Sequence, residues 1–177
     1  MKSLSLAVAG ALAAATVATA ADAPQTQTVE LKNGAGASLG QALLTEAPNG
    51  VLIKVEAKGL TPGWHGLHFH EKGDCSKADF TSAGGHVHAK PTMVHGLLNP
   101  EANEAGDLPN LFAAADGSAV AEIFTTYVSL SAGGPRPALA DADGSALVIH
   151  ANPDDHKTAP IGGAGARVGC GVIPPKP

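Results

Sequence analysis

Short runs in which apolar and polar residues alternate recur along this chain, most of them opening at turn residues. Thr28-Val-Glu-Leu-Lys32 alternates cleanly, and Gly36 to Leu44 does so more weakly. Val51 to Ala57 follows the turn pair Asn49-Gly50, and Trp64 to His70 follows Thr61-Pro62-Gly63. Ser118 to Phe124 follows Asp116-Gly117, and Tyr127 to Leu130 comes soon after. Ala146 to His150 follows Asp143-Gly144, and a last run spans Arg167 to Val172. Alternation with period two predicts half-buried β-strands, and the flanking Gly, Asn, Asp and Pro predict tight turns. Two stretches break the pattern: Gly73 to about Asp107, rich in Gly, His, Asn, Pro and Asp, and the Gly-rich segment Ala151 to Ala166. Aperiodic segments of that length in a compact domain are usually functional loops. No internal repeat or heptad is present. The expected architecture is an all-β antiparallel sandwich or barrel with two long functional loops.

The first twenty residues do not fit that pattern. Lys2 is followed by an apolar run from Leu4 to Ala15 and by small residues at Ala18-Thr19-Ala20. This reads as a signal peptide over 1–20, too short and wrongly flanked for a membrane anchor. A polar lead over 21–27 is expected to be mobile, and the folded domain to span 28–177. Export delivers the protein to the periplasm or the exterior, an oxidising environment. The two cysteines, Cys75 and Cys170, are therefore expected to form one disulfide. A formal net charge of −5 with no basic run, and only 3% aromatic residues, argue against nucleic-acid binding.

Candidate chemistry lies in the histidines. They stand at 65, 68, 70, 86, 88, 95, 150 and 156, six of them between 65 and 95. His68 and His70 flank Phe69 in a strand, so their rings share one face with Cα atoms roughly 6.5 Å apart. Two imidazoles so placed can converge on one metal ion. His150, at the end of its own strand, can approach the same face. His86 and His95 lie in the long loop with acids nearby at Glu104 and Asp107. An all-nitrogen set suits copper, and a set with added carboxylate suits zinc. A His-rich chain that only buffers loosely held metal is the plainer alternative.

Five segments carry a resemblance to a known family: Trp64-His-Gly-Leu-His-Phe-His-Glu-Lys-Gly-Asp-Cys75, Ser82-Ala-Gly-Gly-His86, His95-Gly96, Gly106-Asp-Leu108 and Gly163 to Ile173. Together they resemble the copper,zinc superoxide dismutases. Cys75 directly after Gly73-Asp74, and the run Asp107-Leu-Pro-Asn-Leu-Phe112, are similar to the exported bacterial branch. The resemblance implies a Greek-key, Ig-like sandwich or barrel of eight strands. It implies disproportionation of superoxide, a small anionic substrate, to dioxygen and hydrogen peroxide by copper cycling between Cu(II) and Cu(I). His68, His70, His86 and His150 are the implied copper ligands. His86 is the implied bridge to zinc and the proton carrier of the reaction. His95 and Asp107 are implied zinc ligands, and Asp154 the acid that orients one ligand ring on each metal. Arg167 is the implied catalytic arginine, and Cys75–Cys170 the implied disulfide. Members of this branch occur as monomers and homodimers, and no nucleic-acid or membrane partner is expected for this chain.

Two positions depart from the family pattern. Glu104 stands three residues before Asp107, where the family has a zinc histidine, and His88-Ala89 replaces the usual Asn-Pro after the bridge. Either Glu104 completes the zinc site, or His88 does, or the site is degraded and the protein works with copper alone. His65 and His156 read as non-ligands, His156 as a solvated loop residue. The competing function is a dismutase-like periplasmic protein that binds or buffers copper without significant turnover.

Overall fold

A computed structural model describes residues 23–176. The signal peptide expected over 1–20 lies outside the described residues. The elements are β1 (Thr26–Lys32), β2 (Ser38–Ala47), β3 (Gly50–Ala57), β4 (Gly63–His65), β5 (Leu67–His70), a 3-10 turn (Thr81–Ala83), β6 (Leu111–Ala113), β7 (Ala119–Thr125), β8 (Ser145–His150) and β9 (Arg167–Ile173). A seven-stranded antiparallel sheet runs in the order β5-β8-β9-β1-β2-β3-β7, and β4 pairs with β6. No helix among the described residues is long and apolar enough to cross a membrane.

The alternating strands form as their patterns dictate. Val29 and Leu31 of β1, Ala42 and Leu44 of β2, Val51, Ile53 and Val55 of β3, and Ile123 of β7 share one core. Their polar neighbours face water, the arrangement of a sheet with one wet face. β8 differs because it is buried throughout. Leu147 and Ile149 enter the main core, whereas Ala146 and Val148 pack with Phe80, Ala83 and Cys170 on the other face. That outer layer is the start of the long loop, tied to β9 by the Cys75–Cys170 disulfide.

Four details differ from the sequence reading. β1 starts at Thr26, inside the segment expected to be a mobile lead. The run Trp64 to His70 is two strands, because its first half pairs with β6 and its second half with β8. Gly66 sits at the break, where a Cβ would lie 2.9 Å from the Ala164 Cβ and 3.4 Å from the His150 Cβ. Tyr127 to Leu130 is not a strand: Ser129 forms only an isolated bridge with Ala138. β6 is too short to show a period in the sequence. The described residues thus hold nine strands where eight were expected, within the expected antiparallel all-β architecture.

The site is positioned by what happens at the free edge of β5. That edge is covered by the long loop, which adds short β-like contacts to it. Phe69 N–H donates to Gly106 O (2.8 Å), Val87 N–H to Phe69 O (2.9 Å), and Gly106 N–H to Val87 O (2.9 Å). Gly106 is required there, since a Cβ would come within 2.2 Å of the Phe69 carbonyl oxygen. Isolated bridges His68↔Asp107, His70↔His86 and His88↔Glu104 follow from the same stitching.

Candidate metal centre

β5 directs Leu67 and Phe69 into the core and His68 and His70 to the opposite face, as period two requires. β8 brings His150 to that face, and the stitched loop brings His86. All four histidines are buried. One ring nitrogen of each can be drawn from a set lying within 4.8 Å of one another. The second nitrogen of each is engaged, that of His86 by Glu104 and Asp107. His68 Nε2 contacts Asp154 Oδ2 at 2.8 Å, His70 Nδ1 contacts Gly84 O at 3.0 Å, and His150 Nδ1 contacts Gly165 O at 3.1 Å. These contacts fix which nitrogen is free in each ring.

The free nitrogens decide what the cluster is for. Six buried side-chain nitrogen or oxygen atoms among the described residues have no partner, and four of them are His68 Nδ1, His70 Nε2, His86 Nε2 and His150 Nε2. A buried polar group without a partner costs about 1–3 kcal/mol. Four such groups converging on one point fit a metal ion held by imidazole alone, the donor set of copper. Burial, reinforced by the neighbouring His86 and Arg167, pushes His70 down to about 2. Burial, with His68 beside it, pushes His150 down to about 3. These two rings are therefore neutral, with lone pairs available.

The second cluster starts from the other side of His86. His86 Nδ1 lies 2.8 Å from Glu104 Oε2 and 3.0 Å from Asp107 Oδ1, and His95 Nδ1 lies 2.9 and 3.1 Å from the same two oxygens. Each nitrogen meets both oxygens, although one N–H can be aimed well at only one acceptor. Two nitrogens and two carboxylate oxygens at these separations fit the corners of a tetrahedral zinc site. Burial works against charge on His95, but Asp107, Asp154 and Glu104 outweigh it and raise the ring to about 11. Burial likewise opposes charge on Asp107, yet His86, His95 and the Gly96 N–H hold its carboxyl well below the usual range. The cluster demands positive charge.

Asp154 joins the two clusters. Its Oδ2 contacts His68 Nε2, and its Oδ1 contacts His95 Nε2 at 3.1 Å. Gly162 leaves room for it, since a Cβ there would overlap Oδ1.

A family profile described as copper/zinc superoxide dismutase (SODC) matches residues 38–173. The chain belongs to the copper/zinc superoxide dismutase family. It is 68% identical over 146 residues to a Caulobacter vibrioides protein named superoxide dismutase [Cu-Zn], covering 82% of this chain and 84% of that one. It is 44% identical over 145 residues to superoxide dismutase [Cu-Zn] 2 of Aquifex aeolicus, covering 81% and 84%. Among solved structures, the Cu/Zn superoxide dismutase from Brucella abortus shares 33% identity with a TM-score of 0.68, over 84% of this chain and 99% of that one. A SOD-like protein from Bacillus subtilis shares 37% identity with a TM-score of 0.78, over 85% and 99%.

Copper and zinc, the family's metals, are thus matched by two clusters of suitable donors. The superoxide dismutase fold gathers His68, His70, His86 and His150 in one, and His86, His95, Glu104 and Asp107 in the other. His88 lies in neither. Its Nδ1 turns back to the carbonyl oxygen of His86 at 2.9 Å and stands 3.9 Å from Glu71 Oε2. Arg167 pairs in register with His150, and its guanidinium donates to Phe80 O (2.6 Å) and Gly84 O (2.7 Å). No carboxylate among the described residues forms a salt bridge with it, so its charge is not cancelled at contact.

His65 and His156 join no cluster. His65 is buried, its nitrogens facing His150 O (2.6 Å) and Thr61 O (2.7 Å). His156 is not the solvated residue expected: it is partly buried, with Nε2 3.3 Å from Asn110 Nδ2, and its backbone N–H donates to Asp154 Oδ1 at 2.6 Å. Sequence reasoning missed two supports. Asn110 holds the backbone of Asp154, and Glu71 Oε1 accepts the Gly85 N–H at 3.1 Å beside the bridge. Asn110 lay within a run noted for its family likeness, but nothing local marked its partner 44 residues away.

Proposed function

We propose that this chain is an exported copper- and zinc-dependent superoxide dismutase, converting two superoxide ions and two protons to dioxygen and hydrogen peroxide. One observation carries the reading: among the described residues, four buried ring nitrogens without a hydrogen-bond partner converge on one point beside an arginine held by two carbonyl oxygens. Family membership and the named relatives support it. His68, His70, His86 and His150 would hold copper, and His86, His95, Glu104 and Asp107 would hold zinc.

Copper, when bound, supplies the reversible one-electron exchange. The chain's residues do the rest. Arg167 presents fixed positive charge to a small anion, and its two carbonyl anchors keep it from swinging away. His86 carries the proton: its Nδ1 is committed to the acidic cluster, so Nε2 is the atom that takes a proton and gives it to peroxide. Asp154 keeps His68 and His95 in fixed orientation and so couples the two sites. The overall charge is −5, so attraction of the substrate depends on local positive charge.

The test is superoxide decay catalysed by the disulfide-intact protein, loaded with copper alone and then with copper and zinc. Fast decay that needs both metals supports the two-metal enzyme. Fast decay unchanged by zinc supports a copper-only enzyme. Tight copper binding with negligible decay leaves the copper-buffering protein. Amino-terminal sequencing of the mature chain tests export by cleavage after Ala20, and sedimentation equilibrium separates monomer from homodimer.

A further inference from the structure

The two faces of His86 see opposite electrostatic surroundings. On the Nε2 side lie the rings of His68, His70 and His150, and the Arg167 guanidinium, which donates to the same Gly84 carbonyl oxygen that His70 Nδ1 contacts. On the Nδ1 side lie two carboxylates, with side-chain exposure of 5% for Glu104 and 1% for Asp107. Two carboxylates cancel the whole charge of one divalent ion. A second metal held there would therefore send no net positive charge toward the first.

Resting on the reading of Glu104 as a ligand, we infer that Glu104 sets the copper potential: its negative charge, one imidazole ring away, favours Cu(II) over Cu(I) and lowers the midpoint. Negative charge stabilises the more positive oxidation state. Burial keeps the interaction strong and poorly screened by salt. The geometry also supplies a route, since Glu104 Oε2 lies 2.8 Å from Nδ1 of the ring whose other nitrogen faces copper. Asp107 alone would leave one positive charge uncompensated. Glu104 thus acts on copper from outside the copper set.

The experiment is a redox titration followed by the Cu(II) absorption band and its EPR signal, on wild type, Glu104→Gln, Glu104→His and Glu104→Asp. Copper and zinc per chain are measured for each. The two neutral variants are expected to move the Cu(II)/Cu(I) ratio about tenfold toward Cu(I) at a given potential, about 59 mV for a one-electron couple. Glu104→Asp, which keeps the charge, is expected to stay at the wild-type midpoint. That separates charge from disturbance of the loop. Titrating the copper-only forms as well keeps the comparison valid if a variant loses zinc. Two metals bound with less than a twofold change in ratio for both neutral variants overturns the inference alone. A wild-type chain that binds copper but no second divalent ion overturns the ligand reading and the inference with it.

Discussion

Asn110 and Asp154 exchange two hydrogen bonds across 44 residues of chain. Asn110 Nδ2 donates to the Asp154 carbonyl oxygen (2.8 Å), and the Asp154 N–H donates to Asn110 Oδ1 (2.9 Å). An amide side chain has one acceptor and one donor end and so can hold a backbone from both sides. Asp154 in turn orients His68 and His95. Asn110→Ala is expected to weaken zinc binding about tenfold to a hundredfold, the range typical when the support of a ligand is lost. Competition with a chelator measures this, and the cobalt-substituted protein would show an altered absorption spectrum. Zinc affinity and cobalt spectrum both unchanged would mean that Asp154 needs no such support.

Among the described residues Arg167 makes side-chain hydrogen bonds to the carbonyl oxygens of Phe80 and Gly84 and to no carboxylate, so removing its charge leaves none of those carboxylates unpaired. Arg167→Ala is expected to keep the copper content and to lower the rate constant for superoxide decay about tenfold to a hundredfold. Arg167→Lys is expected to recover part of that loss. The salt dependence of the rate should flatten in the alanine variant. An unchanged rate would show that the substrate is docked elsewhere.

The metal-free protein should be most stable near pH 6.5. His70 and His150 have values of about 2 and 3 in the fold, beneath the ordinary 6.5. As pH falls below 6.5 the unfolded chain takes protons at these rings and the folded chain does not, so acid favours unfolding. His95 has the opposite sign. Raised to about 11, it stabilises fully below 6.5 and loses that contribution as pH rises toward 11. Thermal unfolding of the disulfide-intact, metal-free protein at pH 4.5, 6.5 and 9 checks this. A Tm that climbs from pH 6.5 to 9 would contradict it.

The disulfide closes a loop with a sequence separation of 95 and pins the outer layer over β8. Replacing both cysteines, Cys75→Ser with Cys170→Ser, is expected to cost about 4–5 kcal/mol by the chain-entropy account. Phe80 and Gly84, which hold Arg167, belong to the tethered segment. Denaturant unfolding gives the stability, and copper retention during dialysis should fall in parallel.

Some of this was legible in the sequence. The alternation around Phe69 placed His68 and His70 on one face, because the strand's period is a local property of the backbone. The turn pairs marked the entries to β3, β7 and β8 for the same reason. Two cysteines and an expected oxidising destination pointed to the disulfide. The choice between Glu104 and His88 was not legible. Both lie in an aperiodic loop, and only its stitching to the edge of β5, through Phe69, Val87 and Gly106, carries Glu104 to His86 and turns His88 away. The three-residue strand β6 was hidden because its pairing with β4 is set by tertiary proximity. Asn110 likewise has no local sign of its partner. Sequence by itself determined what the chain's neighbours along the backbone could settle: strand faces, turns and the inventory of donors. Which of those donors come together was decided by hydrogen bonds between segments far apart in the chain, and these exist only once the sheet edge has formed.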